Sequence, residues 1–244
     1  MKTTRTKSGY VGVAARGILM GAADAVPGVS GGTIAFMTGI YEELIFSLKQ
    51  CGVSAVKMLF QKGVKSTWQH INGGFLLALF SGIIMSILTL SRVVLYLLDN
   101  HPILLWSFFF GLILAAVWSL VRHIDKWEVG VIATFLVGTG AAFFITTISP
   151  TTIETSPLIV FLSGMIAICA MILPGISGSF ILLLLGMYAP MLTAVKELQL
   201  LTLCLFAGGC VAGLLSFSHV LSWMFKHYKT MTLALLGGFM LGSL

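Results

Sequence analysis

Long apolar stretches alternate with short polar segments over most of the chain. Several of them match the roughly 17 to 25 residues that an α-helix needs to cross the hydrocarbon core of a bilayer. These stretches predict membrane-spanning helices at 74–98, 103–121, 129–148, 157–173, 200–225 and 231–244. The pattern therefore predicts an all-α integral membrane protein.

The composition agrees with this fold class. Hydrophobic residues make up 58% and charged residues 9% of the 244 residues, and the mean hydropathy is +1.04. A soluble globule of this size needs more polar surface. The net charge of +6 does not indicate a nucleic-acid partner, because the basic residues occupy short segments between apolar stretches, which is the pattern that sets membrane topology.

The cysteines indicate neither a metal site nor a disulfide framework. No two of them form a CxxC pair, and three lie in apolar stretches, where cysteine is usually a small buried hydrophobe. The four are Cys51, Cys169, Cys204 and Cys210. We therefore expect no metal and no bound cofactor.

The chain repeats itself. At a constant offset of 147 positions, residues 17–45 (GILMGAADAVPGVSGGTIAFMTGIYEELI) resemble residues 164–192 (GMIAICAMILPGISGSFILLLLGMYAPML). Three later matches follow in the same order at an offset near 127: LFSG (79–82) with LFAG (205–208), SRVVLYLL (91–98) with SHVLSWMF (218–225), and FGLILA (110–115) with GGFMLG (237–242). This order predicts two related halves, 1–148 and 157–244.

Both halves contain a Pro-Gly-x-Ser-Gly segment, which begins at Pro27 and at Pro174. Proline removes an amide donor and glycine permits unusual dihedrals, so a helix breaks there. The pieces beside the first break are each marginal for a span and are together too long for one. We therefore predict re-entrant helical hairpins at 12–48 and 157–196, since broken backbone at membrane depth must be buried in protein or line a wet cavity.

The basic residues predict the orientation. If 12–48 enters and leaves on the cytoplasmic side, 12 of the 14 Lys and Arg residues fall on or near that side, with Arg92 and Lys196 on the other. Three spans separate the hairpins, so the second hairpin enters from outside. The repeats are then inverted, which is typical of alternating-access carriers. The N-terminus is cytoplasmic in this arrangement.

The segment 51–70 interleaves apolar residues with three lysines. Val53, Val56 and Phe60 stand near Lys57 and Lys62. This pattern predicts an amphipathic helix on the inner membrane surface, with a solvated loop as the alternative.

The two broken segments are suited to bind an anion. A helix that restarts after PGVSGGT or PGISGS offers unpaired amides and a positive dipole end. Hydroxyl groups of Ser30, Thr33, Ser177 and Ser179 add donors. Two such anion-binding sites could pass a phosphate between them near the midplane of the membrane. The alternative is structural, since Gly, Ser and Pro also allow close helix packing in membranes.

Ionisable residues favour the binding interpretation, because a charge within a span usually marks a pathway or a buried pair. Arg16 and Arg92 are candidates for gripping a phosphate with two hydrogen bonds. Asp24 and Glu42 could carry a coupling proton or neutralise Arg16, and both interpretations stay open. His219 matches Arg92 in the repeat and is a packed polar residue, an interface anchor or a ligand contact.

These segments resemble the PopT family of bacteria and archaea, formerly a domain of unknown function. The matching segments cover essentially the whole chain: DAVPGVSGGTIAFMTGIYE, LSRVVLYLL, FFFGLILA, LPGISGSFILLLLGMY and LALLGGFMLGSL. The resemblance implies transport of undecaprenyl phosphate, or a similar phospholipid, from the outer to the inner leaflet of a prokaryotic plasma membrane. It also implies a set of functional motif positions: Asp24, Pro27, Gly28, Ser30, Gly31, Gly32, Thr33, Glu42, Arg92, Pro174, Gly175, Ser177, Gly178 and Ser179.

Two departures from this family are visible. Where relatives often have a glutamate after the second Gly-Met-Tyr, this chain has Ala189, which puts an acidic role in the second hairpin in doubt. Relatives also continue through a basic, tryptophan-rich stretch and further spans, so we expect the natural protein to extend beyond Leu244.

Two other functions stay open on the sequence alone. An undecaprenyl-diphosphate phosphatase needs acidic groups, an arginine and a nucleophile together, and PGVSGG and PGISGS contain no Arg, His or Glu. A small-anion channel or transporter needs a polar pore and no lateral opening to lipid. We predict a lipid-phosphate carrier and no enzyme. Proton or sodium coupling and a homo-oligomeric state are both compatible with this prediction.

Overall fold

The computed structural model describes residues 7–24, 30–122, 124, 126–148 and 156–244. This part of the chain folds into twelve α-helices: α1 (Lys7–Asp24), α2 (Gly31–Met37), α3 (Tyr41–Gln50), α4 (Val53–His70), α5 (Gly73–Asn100), α6 (Pro102–Arg122), α7 (Val129–Thr147), α8 (Pro157–Ile172), α9 (Gly178–Leu184), α10 (Tyr188–Lys196), α11 (Leu200–His227) and α12 (Lys229–Gly242).

The long helices have the length and hydropathy of membrane spans. Among the described residues, four helices qualify, namely α5 over Gly73–Leu90, α6, α7 and α11, and α9 with α10 would add a fifth if this bent pair is one span. Helices α8 and α12 are shorter and apolar. The chain is therefore an α-helical protein suited to a membrane, as its hydropathy pattern predicts.

Helices α1 and α5 pack backbone against backbone. Gly17 in α1 lies against the carbonyl oxygen of Leu79, and Gly82 in α5 lies against the carbonyl oxygen of Ala14. A Cβ atom on either glycine would overlap that oxygen. Because lipid gives helices no hydrophobic reason to associate, such close approach is a main source of helix packing in membranes.

The second half repeats these contacts between α8 and α11. Gly164 lies against the carbonyl oxygen of Phe206, and Gly209 lies against that of Phe161. Each partner stands 147 or 127 positions after its counterpart in α1 and α5. The internal repeat of the sequence is thus accompanied by a repeat of specific packing contacts.

A third close pair joins the two halves. Gly138 in α7 lies against the carbonyl oxygen of Leu235 in α12, and Gly238 lies against that of Phe135. Helix α12 also packs on α6, where Ile113 and Met240 belong to one buried cluster. Helix α7, which follows α6 in the chain, is therefore held mainly by α12.

A sharp turn follows the short helix after each break. Gly39 between α2 and α3 has φ +71°, and Gly186 between α9 and α10 has φ +67°. Only glycine adopts this left-handed region without strain. The turn bends α9 and α10 by 108° relative to each other.

Helix α4 exposes an apolar side. Val53 and Phe60 are exposed, as is Lys57 between them. A helix on a membrane surface needs this combination. The interfacial position of 51–70 stays a prediction.

Candidate functional site

Ser30, beside the first break, contacts the second break in the interior. Its hydroxyl group lies 3.2 Å from the carbonyl oxygen of Met171 and 3.4 Å from that of Leu173, and it donates its hydrogen between them. The carbonyl oxygen of Ile172 lies over Gly32, where a Cβ atom would come within 2.8 Å of it. The chain around Ser30 is therefore fitted against residues 171–173.

Two further hydrogen bonds join the same segments. The hydroxyl group of Tyr41 donates to the carbonyl oxygen of Ile172 at 3.0 Å. The amide of Gly175 donates to the hydroxyl oxygen of Thr33 at 2.9 Å. Tyr41 and Thr33 are both buried, so these bonds are shielded from competing solvent.

The break itself explains why these carbonyl groups are free to accept. Helix α8 ends at Ile172, and the last carbonyl groups of a helix have no partner within it. Pro174 also lacks an amide donor. Ser30 and Tyr41 supply hydrogen bonds to carbonyl groups that a buried helix end would otherwise leave unsatisfied.

At the first break, groups of the chain itself occupy the amides at the start of α2. The amide of Gly31 donates to the carboxylate Oδ1 of Asp24 at 2.6 Å. Gly32 donates to the side chain of Ser30 at 3.1 Å, and Thr33 donates to the Ser30 carbonyl oxygen at 2.9 Å. The sequence predicts open amides here, but Asp24 holds the position that an anion would take.

At the second break, the corresponding amides are unpaired among the described residues. Ser177 forms no side-chain cap on α9, and its hydroxyl group pairs with that of Ser179 at 2.8 Å. Within the described part of the chain, the amides of Gly178 and Ser179 have no hydrogen-bond acceptor. The repeat counterpart of Asp24 is Met171, which cannot cap them. Two amides and two hydroxyl groups therefore lie together at this break.

Gly175 cannot readily be replaced. Its φ is +91°, and a Cβ atom would come within 2.7 Å of the Ser243 side chain and 2.9 Å of Met240. Both strain and crowding act here. The second break is thus fixed against the end of α12.

Glu42 and Arg16 are not partners. Glu42 forms an ion pair with Lys229 at the start of α12, with 2.7 Å between Oε1 and Nζ. Arg16 lies half-buried in α1, and Asp24 is engaged with Gly31. The sequence leaves two roles open for Asp24 and Glu42, namely carrying a coupling proton and neutralising Arg16. Among the described contacts, neither carboxylate pairs with Arg16.

The remaining predicted site residues lie elsewhere or are not described. Pro27 and Gly28 are outside the described residues, as is the side chain of Arg92, whose backbone belongs to α5. His219 is exposed on α11, where its Nδ1 lies 2.6 Å from the Leu215 carbonyl oxygen. Its ring faces the α3–α4 junction near Gly52.

Comparison with known proteins decides the family. A family model described as VCA0040-like, undecaprenyl phosphate translocase-like, matches residues 20–244. The chain belongs to this translocase-like family. The match confirms the resemblance to undecaprenyl phosphate transporters that the paired Pro-Gly segments indicate, and it classes the protein with transporters and not with enzymes.

Two curated relatives of the translocase-like family carry a functional name. A polyprenyl-phosphate transporter of Vibrio cholerae is 52% identical over 96% of this chain and 76% of its own length. A polyprenyl-phosphate transporter of Staphylococcus aureus is 34% identical over 94% of this chain and 83% of its own length. No solved structure matches the chain significantly.

Sequence reasoning missed two residues at this site. Tyr41 was visible only as a match to Tyr188 in the repeat, a signal that does not reveal a hydrogen bond to Ile172. Lys229 counts in the sequence only as one of the basic residues that predict the orientation, whereas in the structure it pairs with Glu42. Both contacts join residues more than 130 positions apart, so spacing along the chain could not indicate them.

Proposed function

We propose that this protein carries a polyprenyl phosphate, undecaprenyl phosphate in bacteria, across the plasma membrane. The phosphate headgroup passes between the two breaks while the polyprenyl tail stays in lipid. The meeting of the breaks through Ser30, Thr33 and Tyr41 is the observation that carries this proposal. The choice of a polyprenyl phosphate as the substrate rests on the names of the relatives in V. cholerae and S. aureus.

We propose two inverted repeats with re-entrant hairpins at 12–48 and 157–196. Matching glycine contacts in the α1–α5 and α8–α11 pairs support the repeat, and the distribution of Lys and Arg residues supports the inversion. The N-terminus lies in the cytoplasm in this arrangement. Recycling of the lipid from the outer to the inner leaflet is the direction we propose.

The unpaired amides of Gly178 and Ser179 form the headgroup site in the present state. Together with the hydroxyl groups of Ser177 and Ser179 they can donate to phosphate oxygens, and hydrogen bonds to a charged group are the strong ones. A phosphate crossing the bilayer unaided faces a large desolvation barrier. Donors at the break replace part of the lost hydration.

The first break forms the second binding site for the headgroup. Its amides are occupied by Asp24 and Ser30 in this state, so a phosphate must displace the Asp24 carboxylate to bind there. The repulsion between two negative groups gives Asp24 a role in releasing the headgroup. Coupling to a proton is compatible with this role, because protonation removes the repulsion.

Matching helices of the two repeats differ in burial. Tyr41 and Ile45 in α3 are 2% and 1% exposed, whereas their counterparts Tyr188 and Leu192 in α10 are 40% and 46% exposed. Each of the two helices follows a short helix and a glycine turn, which are α2 and Gly39 before α3 and α9 and Gly186 before α10. Unequal burial of equivalent surfaces is what a carrier in one of two related states requires.

The buried surface of α3 lies against α11. Lys49 donates to the hydroxyl group of Ser222 at 3.3 Å, and the rings of Tyr41 and Phe225 meet edge to face with centroids 5.9 Å apart. Because α3 belongs to the hairpin assigned to the cytoplasmic side, that side is closed in this state. The headgroup then enters from outside, towards Ser179.

A reconstituted-liposome assay tests the function. The purified protein is expected to move undecaprenyl phosphate between leaflets while leaving inorganic phosphate and chloride gradients intact. Flux of either small anion without lipid movement would favour a channel and overturn the proposal. Release of phosphate from undecaprenyl diphosphate would show an enzyme instead.

Removing the hydroxyl groups at the second break is expected to slow transport. The double variant Ser177→Ala, Ser179→Ala loses two donors to a charged headgroup, which corresponds to roughly a tenfold or larger drop in rate. The matched control is Ser216→Ala, whose hydroxyl group bonds only to its own helix. Equal rates for both variants in liposomes would remove the second break from the headgroup path.

Linked cysteine pairs test the two states. A thiol-reactive linker between Lys49→Cys and Ser222→Cys is expected to lock α3 on α11 and stop transport until it is cleaved. The repeat-related pair, Lys196→Cys with Leu95→Cys, is expected to link only when α10 docks on α5. Transport that continues with either pair linked would contradict alternating access.

A further inference from the structure

Ser86 in α5 carries a buried hydroxyl group that is unpaired. The residue is 0% exposed, and its Oγ atom forms no hydrogen bond with any of the described residues. Ser218 in α11 is equally buried, but its hydroxyl group donates to the Leu215 carbonyl oxygen of its own helix at 3.0 Å. Buried polar groups are nearly always paired. The unpaired hydroxyl group of Ser86 is therefore an exception that calls for an explanation.

Ser86 lies against the end of α1, beside the first break. A Cβ atom on Gly21 would come within 2.8 Å of the Cβ atom of Ser86. Asp24 follows Gly21 by three positions in α1, which places it on the same face of the helix and one turn nearer the break. Side chains of a helix lean towards its beginning, so the side chain of Asp24 can reach back towards Ser86.

The same helix contact in the second repeat has no polar groups. The counterparts of Gly21 and Ser86 are Ile168 and Gly213. These two residues also meet, because a Cβ atom on Gly213 would come within 2.8 Å of the Ile168 side chain. The residue at the position of Asp24 is a methionine there. The carboxylate and the buried hydroxyl group are thus present together in the first repeat and absent together from the second.

The Asp24 carboxylate needs a donor whenever it leaves the Gly31 amide. It accepts from this amide at 2.6 Å, and a phosphate that binds to the first break would displace it. A carboxylate that is held away from water is costly unless it is hydrogen-bonded. Ser86 offers an unpaired donor on the face of α1 that carries Asp24.

We infer that Ser86 is a positioning residue that receives the Asp24 carboxylate when the headgroup occupies the first break. The Ser86 hydroxyl group then donates to the carboxylate, while the Gly31 amide donates to the phosphate. The inference rests on the proposed function and adds a second position for Asp24 to it. With this position, the first break holds a phosphate without leaving a buried charge unpaired.

The variant Ser86→Ala tests the inference. It is expected to lower transport of undecaprenyl phosphate in liposomes roughly tenfold, because it removes a hydrogen bond to a charged group. Its Tm in detergent should be unchanged or higher, since an unpaired buried hydroxyl group is removed. The matched control is Ser218→Ala, which is equally buried and should transport at the natural rate. Transport at the natural rate by Ser86→Ala would overturn the inference.

A double variant separates an effect through Asp24 from an effect on helix packing. In the Asp24→Asn protein no charge has to be received, so adding Ser86→Ala is expected to slow transport by less than about twofold. Residues that act on each other give such non-additive effects. If the double variant instead loses the product of the two single factors, Ser86 does not act through Asp24 and the inference is wrong.

Infrared difference spectroscopy observes the carboxylate itself. Adding undecaprenyl phosphate to the natural chain in liposomes is expected to shift a carboxylate band, which is assigned to Asp24 by its loss in Asp24→Asn. The shifted band should change position in Ser86→Ala and stay the same in Ser218→Ala. Identical bands in Ser86→Ala and the natural chain would overturn the inference alone. A natural chain that moves no undecaprenyl phosphate would overturn the proposed function, and the inference with it.

Discussion

Replacing Gly17 by leucine is expected to lower the free energy of unfolding by about 3 kcal/mol or more, the upper part of the usual cost of overpacking. The first atom of the new side chain would overlap the Leu79 carbonyl oxygen, which belongs to a helix backbone and cannot rotate away. Helices α1 and α5 would have to separate. Thermal unfolding in detergent, followed by helix content, measures the loss.

The matched control is Gly12→Leu, five positions earlier in the same helix. Gly12 is exposed and nothing lies within 4 Å of its Cβ position. Leucine has a higher helix propensity than glycine by somewhat less than about 1 kcal/mol, so this variant should be as stable as the natural chain or more stable. A similar loss in both variants would show that the α1–α5 contact does not decide stability.

Asp24→Asn is expected to reduce transport of undecaprenyl phosphate by roughly tenfold or more. Asparagine keeps an oxygen that can accept from the Gly31 amide, and it caps a helix about as well as aspartate. The variant therefore keeps the fold but loses the negative charge. Without this charge, nothing repels the phosphate from the first break, and release becomes slow. Leaflet exchange in liposomes measures the rate, and binding of the lipid should persist.

Asp24→Ala separates the two roles of this residue. It removes both the cap and the charge, so it should also lose about 1 kcal/mol of stability. If Asp24→Asn transports at the natural rate while Asp24→Ala does not, Asp24 serves only as a cap. The role in releasing the headgroup would then have to be withdrawn.

The sequence predicts the breaks well because their cause is local. Proline and glycine act on their own backbone, and α8 ends just before Pro174 as the Pro-Gly segment predicts. The match of residues 17–45 to 164–192 is likewise a property of the sequence, and the α1–α5 and α8–α11 contacts accompany it. The translocase-like family follows from the same segments.

The groups that accept hydrogen bonds from the amides at the breaks could not be predicted in this way. The sequence predicts unpaired amides at both breaks, but at the first break Asp24 accepts from the Gly31 amide and Ser30 accepts from the Gly32 amide. The pairing of Glu42 with Lys229 depends on tertiary structure alone. Residues Ile45 and Leu192 are both apolar and equivalent, so their sequences predict the same burial. Their different exposure depends on tertiary packing, since α3 lies against α11.

The two breaks contribute different kinds of groups to the hydrogen bonds between them. Ser30, Thr33 and Tyr41 contribute side chains, whereas residues 171–175 contribute only main-chain groups. Any amino acid at 171–173 presents the same carbonyl oxygens, so these hydrogen bonds place no demand on the side chains there, although Ile172 is also buried in the core. Substitutions that remove a hydrogen bond between the breaks are therefore expected at Ser30, Thr33 and Tyr41 and not at residues 171–173.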